Sequence, residues 1–121
     1  MPRPILAEQN IHSEVRDNVA SHQSAIVAEV QDAVTRHAVV VVGMRQNPFP
    51  RKARKALDAA GVTYEYLEYG SYFKQWRRRT ALKMWTGWPS FPMIFVKGVL
   101  VGGADDVIKL IDNGELKRLL A

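Results

Sequence analysis

The spacing of apolar residues changes several times along the chain, and each change marks an element. Ile11, Val15 and Val19 recur every four residues, which places them on one stripe of a helix. Ser21-His22-Gln23-Ser24 interrupts that stripe. A second one follows with Ile26, Val30 and Val34, flanked by Val27 and Ala33. The region predicts either one long helix with a weak middle or two short ones. Residues 38–42, Ala-Val-Val-Val-Val, are β-branched without alternation, as expected of a short strand covered on both faces. Ala53, Leu57 and Ala60 return to helical spacing, and Gly61 supplies the stop. From Val62 to Tyr69 apolar and polar residues alternate, which predicts a strand. Strand, helix and strand at this spacing form a βαβ unit with a right-handed crossover.

Residues 71–85 predict a very basic helix carrying Lys74, Arg77, Arg78, Arg79 and Lys83. Gly87-Trp88-Pro89-Ser90-Phe91-Pro92 ends it. Met93 to Val96 and Val99 to Val101 are two short apolar strands around Lys97-Gly98, a tight hairpin. Gly102-Gly103 closes the second strand. Asp105 or Asp106 opens a helix with Val107, Leu110 and Ile111, which Gly114 stops, and Leu116, Leu119 and Leu120 form a last helical turn. The order helix–β–α–β–α–β–β–α describes a four-stranded mixed sheet with helices on both faces. A hairpin added to a parallel pair is the thioredoxin-like α/β layout, here with an extra helical segment at the N-terminus.

Composition narrows the chemistry. The 121 residues are 47% hydrophobic and 24% charged, the balance of one soluble domain. There is no cysteine, which excludes disulfides, thiolate metal sites and thiol catalysis by this chain. His12, His22 and His37 are few for a metal site, and none is expected. No apolar run reaches membrane-spanning length. The opening residues lack the apolar core of a signal peptide, and the expected compartment is the cytoplasm. A net charge of +5 favours anionic partners. Arg51, Lys52, Arg54 and Lys55 lie on one predicted helix. The second basic helix interleaves its cations with Tyr72, Phe73, Trp76 and Trp85, and Trp88 follows it. Basic residues among aromatics also occur in single-stranded nucleic-acid binders. No recognised nucleic-acid module accompanies them here, so nucleic acid is the lesser expectation.

Residues Asn47 to Gly61 resemble the active-site strand-to-helix segment of glutaredoxins. The resemblance continues through Trp88-Pro89-Ser90-Phe91-Pro92, Val96-Lys97-Gly98 and Gly102-Gly103-Ala104-Asp105, which are similar in order and spacing to the family's W-P-T-x-P, V-x-G and G-G-x-D signatures. It is nearest to the monothiol class and covers residues 26–121, leaving 1–25 as an extension with no match. It implies a glutaredoxin-type fold. It also exposes a departure, since Asn47 and Pro50 stand where the family has its nucleophilic cysteine and its second cysteine or serine. Thiol–disulfide exchange needs a thiolate, and the family's shared iron–sulfur cluster needs that cysteine as ligand. Neither is expected of this chain.

The resemblance further implies a glutathione site. Arg45 and Arg79 would bind the glycyl carboxylate. Phe91, before a cis proline at Pro92, would pair its backbone with the cysteinyl unit. Ala104 and Asp105, opening the next helix, would hold the γ-glutamyl end. Asn47 would sit at the centre, where it also reads as a helix N-cap with Pro48 and Pro50 in the first turn. The expected function is a non-catalytic module binding glutathione or an acidic protein. The alternatives are an interaction or nucleic-acid-binding domain without a glutathione site, or a glutathione-dependent enzyme whose nucleophile is bound glutathione.

Overall fold

The computed structural model describes residues 3–71 and 75–121. Two helices, α1 (Ser13–Ser21) and α2 (Ser24–Arg36), precede β1 (Val39–Gly43). Then come α3 (Pro48–Ala59), β2 (Glu65–Glu68), α4 (Trp76–Thr86), β3 (Met93–Val96), β4 (Val99–Gly102), α5 (Ala104–Asp112) and α6 (Glu115–Leu120). The sheet order is β2-β1-β3-β4. β1 pairs in parallel with β2 and antiparallel with β3, and β3 pairs antiparallel with β4. This is the expected mixed sheet, with the hairpin turning at Lys97 (φ 48°) and Gly98 (φ 83°).

The unbroken valine run in β1 is explained by its two covered faces. Val40 and Val42 join Ile26 and Val30 of α2, Leu82 of α4 and Phe95 of β3 in one core cluster. Val39 and Val41 join Ala53 and Leu57 of α3, Ile94, Val107 of α5 and Leu116 of α6 in the other. Successive side chains point to opposite faces of a strand. A central strand with helices on both sides therefore has no polar face to alternate with.

Of the two alternatives for the N-terminal region the structure has two helices, divided where Gln23 takes a left-handed conformation (φ 49°). Three expectations need correction. The strand expected over 62–69 is only Glu65–Glu68, because the Val62 N–H still donates to the Leu57 carbonyl as the chain turns off α3. Within the helix expected over 71–85, Tyr72, Phe73 and Lys74 lie outside the described residues, and α4 begins at Trp76. The helix that Asp105 or Asp106 was expected to open starts one residue earlier, at Ala104.

Candidate functional site

β1 delivers the chain to the site at its C-terminal end. The Tyr69 N–H donates to the Gly43 carbonyl and the Arg45 N–H to the Gly70 carbonyl, tying the exit of β1 to the exit of β2. Gln46 then turns through a left-handed conformation (φ 62°) into α3. Asn47 is the N-cap, and its Oδ1 accepts from the Phe49 N–H at 2.9 Å. Pro48 and Pro50 fall at the first and third helical positions, where a missing N–H costs nothing within the helix.

Asn47 also reaches across the site. Its Nδ2 donates to the Phe91 carbonyl at 3.4 Å, and the Phe91–Pro92 peptide is cis, as expected. One amide thus joins the start of α3 to the segment before β3. A cleft of about 390 Å³ opens beside it, lined by Asn47, Pro48, Phe49, Trp88, Phe91 and Pro92 on one side and Gly103 to Asp106 on the other. Asp106, not Asp105, closes the start of α5, with its Oδ2 accepting from the Gly103 N–H at 2.9 Å. Gly102 (φ 111°) is required there, because a Cβ would stand 2.5 Å from that carboxylate oxygen. Asp105 is free of capping and pairs instead with Lys52 of α3 at 3.0 Å. Helix α5 thus begins at the lining of this cleft, where the positive end of a helix dipole lies.

Of the sequence-predicted residues, Asn47, Phe91, Pro92, Ala104 and Asp105 meet in this cleft. The two arginines do not line it. Arg45 is exposed, pairs with Glu68 at 3.3 Å and borders a separate depression of about 270 Å³ with Gly70, Ser71 and Gln75. Arg79 is buried, and its Nη1 donates to the carbonyls of Tyr69 (2.9 Å) and Ser71 (2.6 Å). Two cations that the sequence placed only on basic helices each meet one of the lining residues. Lys52 is at Asp105, and the Lys83 ammonium lies 5.7 Å from the centre of the Phe91 ring. The contact of Lys52 depends on α3 packing against α5, which no local signal announces.

Behind Asn47, Tyr66 braces the loop. Its ring lies under the Arg54 guanidinium at 4.0 Å, and its hydroxyl donates to Glu68 at 3.1 Å. A Cβ on Gly43 would meet both Pro50 and Tyr66 at 2.9 Å, so only glycine fits this close approach. Burial first, and the Glu68 bond second, push the Tyr66 phenol up to about 12. Burial and Glu29 push Tyr69 up as well. Because the folded value is raised, the stability from Tyr66 is full below about 10, its unfolded value, and is lost as pH rises through about 12. We expect phenolate absorbance to show a class titrating well above pH 10, and Tyr66→Phe to remove part of the alkaline loss of stability. A protein whose tyrosines all titrate near 10 would contradict this.

No thiolate is present to attack sulfur or to ligate a cluster, so the residues here do not fit an iron–sulfur centre held in the family's manner. Comparison with known proteins defines the lineage. Residues 39–101 match the glutaredoxin family pattern. A glutaredoxin-like protein of Dictyostelium discoideum is 46% identical over 98 residues, covering 81% of this chain and 80% of its own. The chloroplastic bifunctional monothiol glutaredoxin-S16 of Arabidopsis thaliana is 36% identical over 76% of this chain, which spans only 33% of that longer protein. Among solved structures, oxidized glutaredoxin 2 of Chlamydomonas reinhardtii superposes with a TM-score of 0.70 at 30% identity, over 81% of this chain and 92% of that one. A buckwheat glutaredoxin–glutathione complex shares the fold, with a TM-score of 0.73 at 24% identity over 83% and 91% of the two chains. A family match over more than half of the residues, joined to the Dictyostelium relative, shows that the chain belongs to the glutaredoxin family.

Proposed function

We propose that this protein is a non-catalytic glutathione-binding module. The observation that carries the reading is the Asn47 amide, which occupies the nucleophile's position and joins the α3 start to Phe91 beside an open cleft. An amide performs no exchange, while the cleft keeps three features suited to an extended anionic tripeptide. These are the α5 N-terminus, the backbone at Phe91 and nearby cations. Lys83 and Lys52 replace Arg79 as the charged partners in this reading, with Arg45 at the margin. The buckwheat relative, solved with glutathione, supports the same ligand class.

A second reading is favoured by one observation: Phe49 is exposed on the first turn of α3, followed by exposed Arg51, Lys52 and Lys55. An acidic protein segment with an apolar anchor suits that surface.

The test is glutathione titration followed through tryptophan emission, with Trp88→Phe removing the reporter in the cleft. Binding is expected in the millimolar range at low salt and should weaken as salt rises, since the cations are partly exposed. Lys83→Ala should weaken it about tenfold, the lower end for a charge-assisted bond. Failure to bind at millimolar glutathione in low salt would overturn the reading and leave the acidic-protein alternative. Turnover of glutathione conjugates by the cysteine-free protein would overturn the non-catalytic part.

A further inference from the structure

The two sides of the cleft differ in chemistry. Asp105 and Asp106 line the side at α5, whereas the lining around Asn47 is Pro48, Phe49, Trp88 and Pro92, with the Ser90 hydroxyl among them. Hydrogen-bond donors are scarce on that second side. Proline has no N–H, so Pro48 and Pro92 donate nothing. The Phe49 N–H is given to Asn47 Oδ1 at 2.9 Å and the Trp88 N–H to Thr86 Oγ1 at 3.0 Å. The Trp88 indole Nε1 is buried without an acceptor among the described residues, on the edge of the ring that a Cβ at Gly103 would meet at 3.7 Å. Trp88 therefore offers the cleft no donor. Asn47 uses both ends of its amide inside the protein, Oδ1 on Phe49 and Nδ2 on the Phe91 carbonyl. Phe49 itself is 51% exposed, a large apolar surface left open beside the cleft it lines.

Those surroundings meet the middle of an extended tripeptide. In glutathione the carboxylates and the ammonium lie at the ends, and the central residue carries the sulfur. With that residue paired to the backbone at Phe91, the groups across from it are Asn47 and the first turn of α3. A thiol is only a weak donor, so the free S–H gains little against prolines and aromatic rings. Replacing S–H by S–alkyl forfeits at most that weak bond and adds apolar surface to cover Pro48 and Phe49.

We propose that the cleft takes glutathione S-conjugates, thioethers with an apolar group on the sulfur, in preference to glutathione itself, and that Phe49 is the residue that sets this specificity. The inference rests on the glutathione reading of the cleft and adds what the sulfur carries. No bond forms or breaks. The Asn47 amide does not attack a thioether, so the conjugate is held and released intact.

Calorimetric titration of the full chain with glutathione, S-methylglutathione and S-hexylglutathione, at low and high salt, tests it. A fully buried methylene changes affinity about fourfold, and a surface that covers one side of the chain about twofold. S-hexylglutathione should therefore bind at least tenfold more tightly than glutathione, with a more negative heat-capacity change, and S-methylglutathione should fall between them. Salt should weaken all three by one factor and leave their ratios, because the carboxylates are shared and the S-substituent is uncharged. Phe49→Ser should shrink the hexyl-to-parent ratio to below about threefold. Lys83→Ala should weaken both ligands by one factor and keep the ratio. If glutathione binds and S-hexylglutathione binds no more tightly, the inference falls and the cleft reading stands. If the hexyl advantage survives Phe49→Ser, the apolar group lies elsewhere and the inference falls as well. If none of the three binds at millimolar concentration in low salt, the cleft reading falls and the inference with it. A mixed disulfide of glutathione with a peptide that binds over tenfold more tightly than S-hexylglutathione would make this surface a protein contact and overturn the small-molecule assignment.

Discussion

Arg79→Ala is expected to lower the unfolding temperature by roughly 10 °C, while Arg77→Ala, two residues earlier on the same helix, barely moves it. The Arg79 side chain is 6% exposed and donates to the backbone carbonyls of Tyr69 and Ser71. Those carbonyls belong to the segment leaving β2, whose Gly70 carbonyl also accepts from the Arg45 N–H. Alanine would leave buried acceptors without donors and a void in place of the guanidinium. Each unsatisfied buried group costs about 1–3 kcal/mol, so a total of about 2–4 kcal/mol is reasonable. In a domain of this size about 4 °C accompanies each kcal/mol. Arg77 is exposed, and a change there should stay within about 0.5 kcal/mol. Arg79→Lys should fall between, because one ammonium cannot reproduce the planar fork. Thermal unfolding of the three variants is the measurement. If Arg79→Ala melts with the parent but binds glutathione more weakly, the buried arginine is a ligand and its loop contacts are incidental.

The contrast between these arginines shows where sequence reading stops. Arg77, Arg78 and Arg79 are identical residues in a row, and only the phase of α4 separates an outward charge from an inward one. That phase depends on where the helix begins. It begins at Trp76 after Gln75 in a left-handed conformation, at a position with no glycine to announce the turn. Gln23 divides α1 from α2 in the same unannounced way. The sheet was legible for the opposite reason. Val39 to Val42 cannot satisfy any other position than a strand covered on both faces, and Lys97-Gly98 fixes the hairpin. The N-cap was legible because Asn47 acts on its own first turn. The Lys52–Asp105 pair and the separation of Arg45 from the cleft depend on how α3, α5 and the strand ends pack together, and nothing in the chain's local spacing encodes that.

Asn47→Cys should give this cysteine-free protein a thiol reactive toward glutathione disulfides. The substitution puts a thiol at the N-cap of a twelve-residue helix, where the dipole and free N–H groups favour the thiolate. If the thiol pKa falls from about 8.5 to about 6.5, the thiolate fraction at pH 7 rises roughly 25-fold. The same position already faces the Phe91 carbonyl across the cleft, so a disulfide bound there would present its sulfur to the new nucleophile. The exchange needs no outside oxidant. The thiolate attacks one sulfur of glutathione disulfide, the protein forms a mixed disulfide, and one glutathione thiolate leaves. A cost accompanies it. Losing the Asn47 cap should remove about 1 kcal/mol of stability, which thermal unfolding would show. The control is Ala59→Cys, an exposed thiol at the opposite end of the same helix, where the dipole raises the pKa. Stopped-flow formation of the mixed disulfide should be at least tenfold faster for Asn47→Cys than for Ala59→Cys, and Lys83→Ala should slow only the former. Equal rates for the two cysteines would mean that the helix end and the cleft do nothing to activate sulfur or hold glutathione, and the glutathione reading would fall with them.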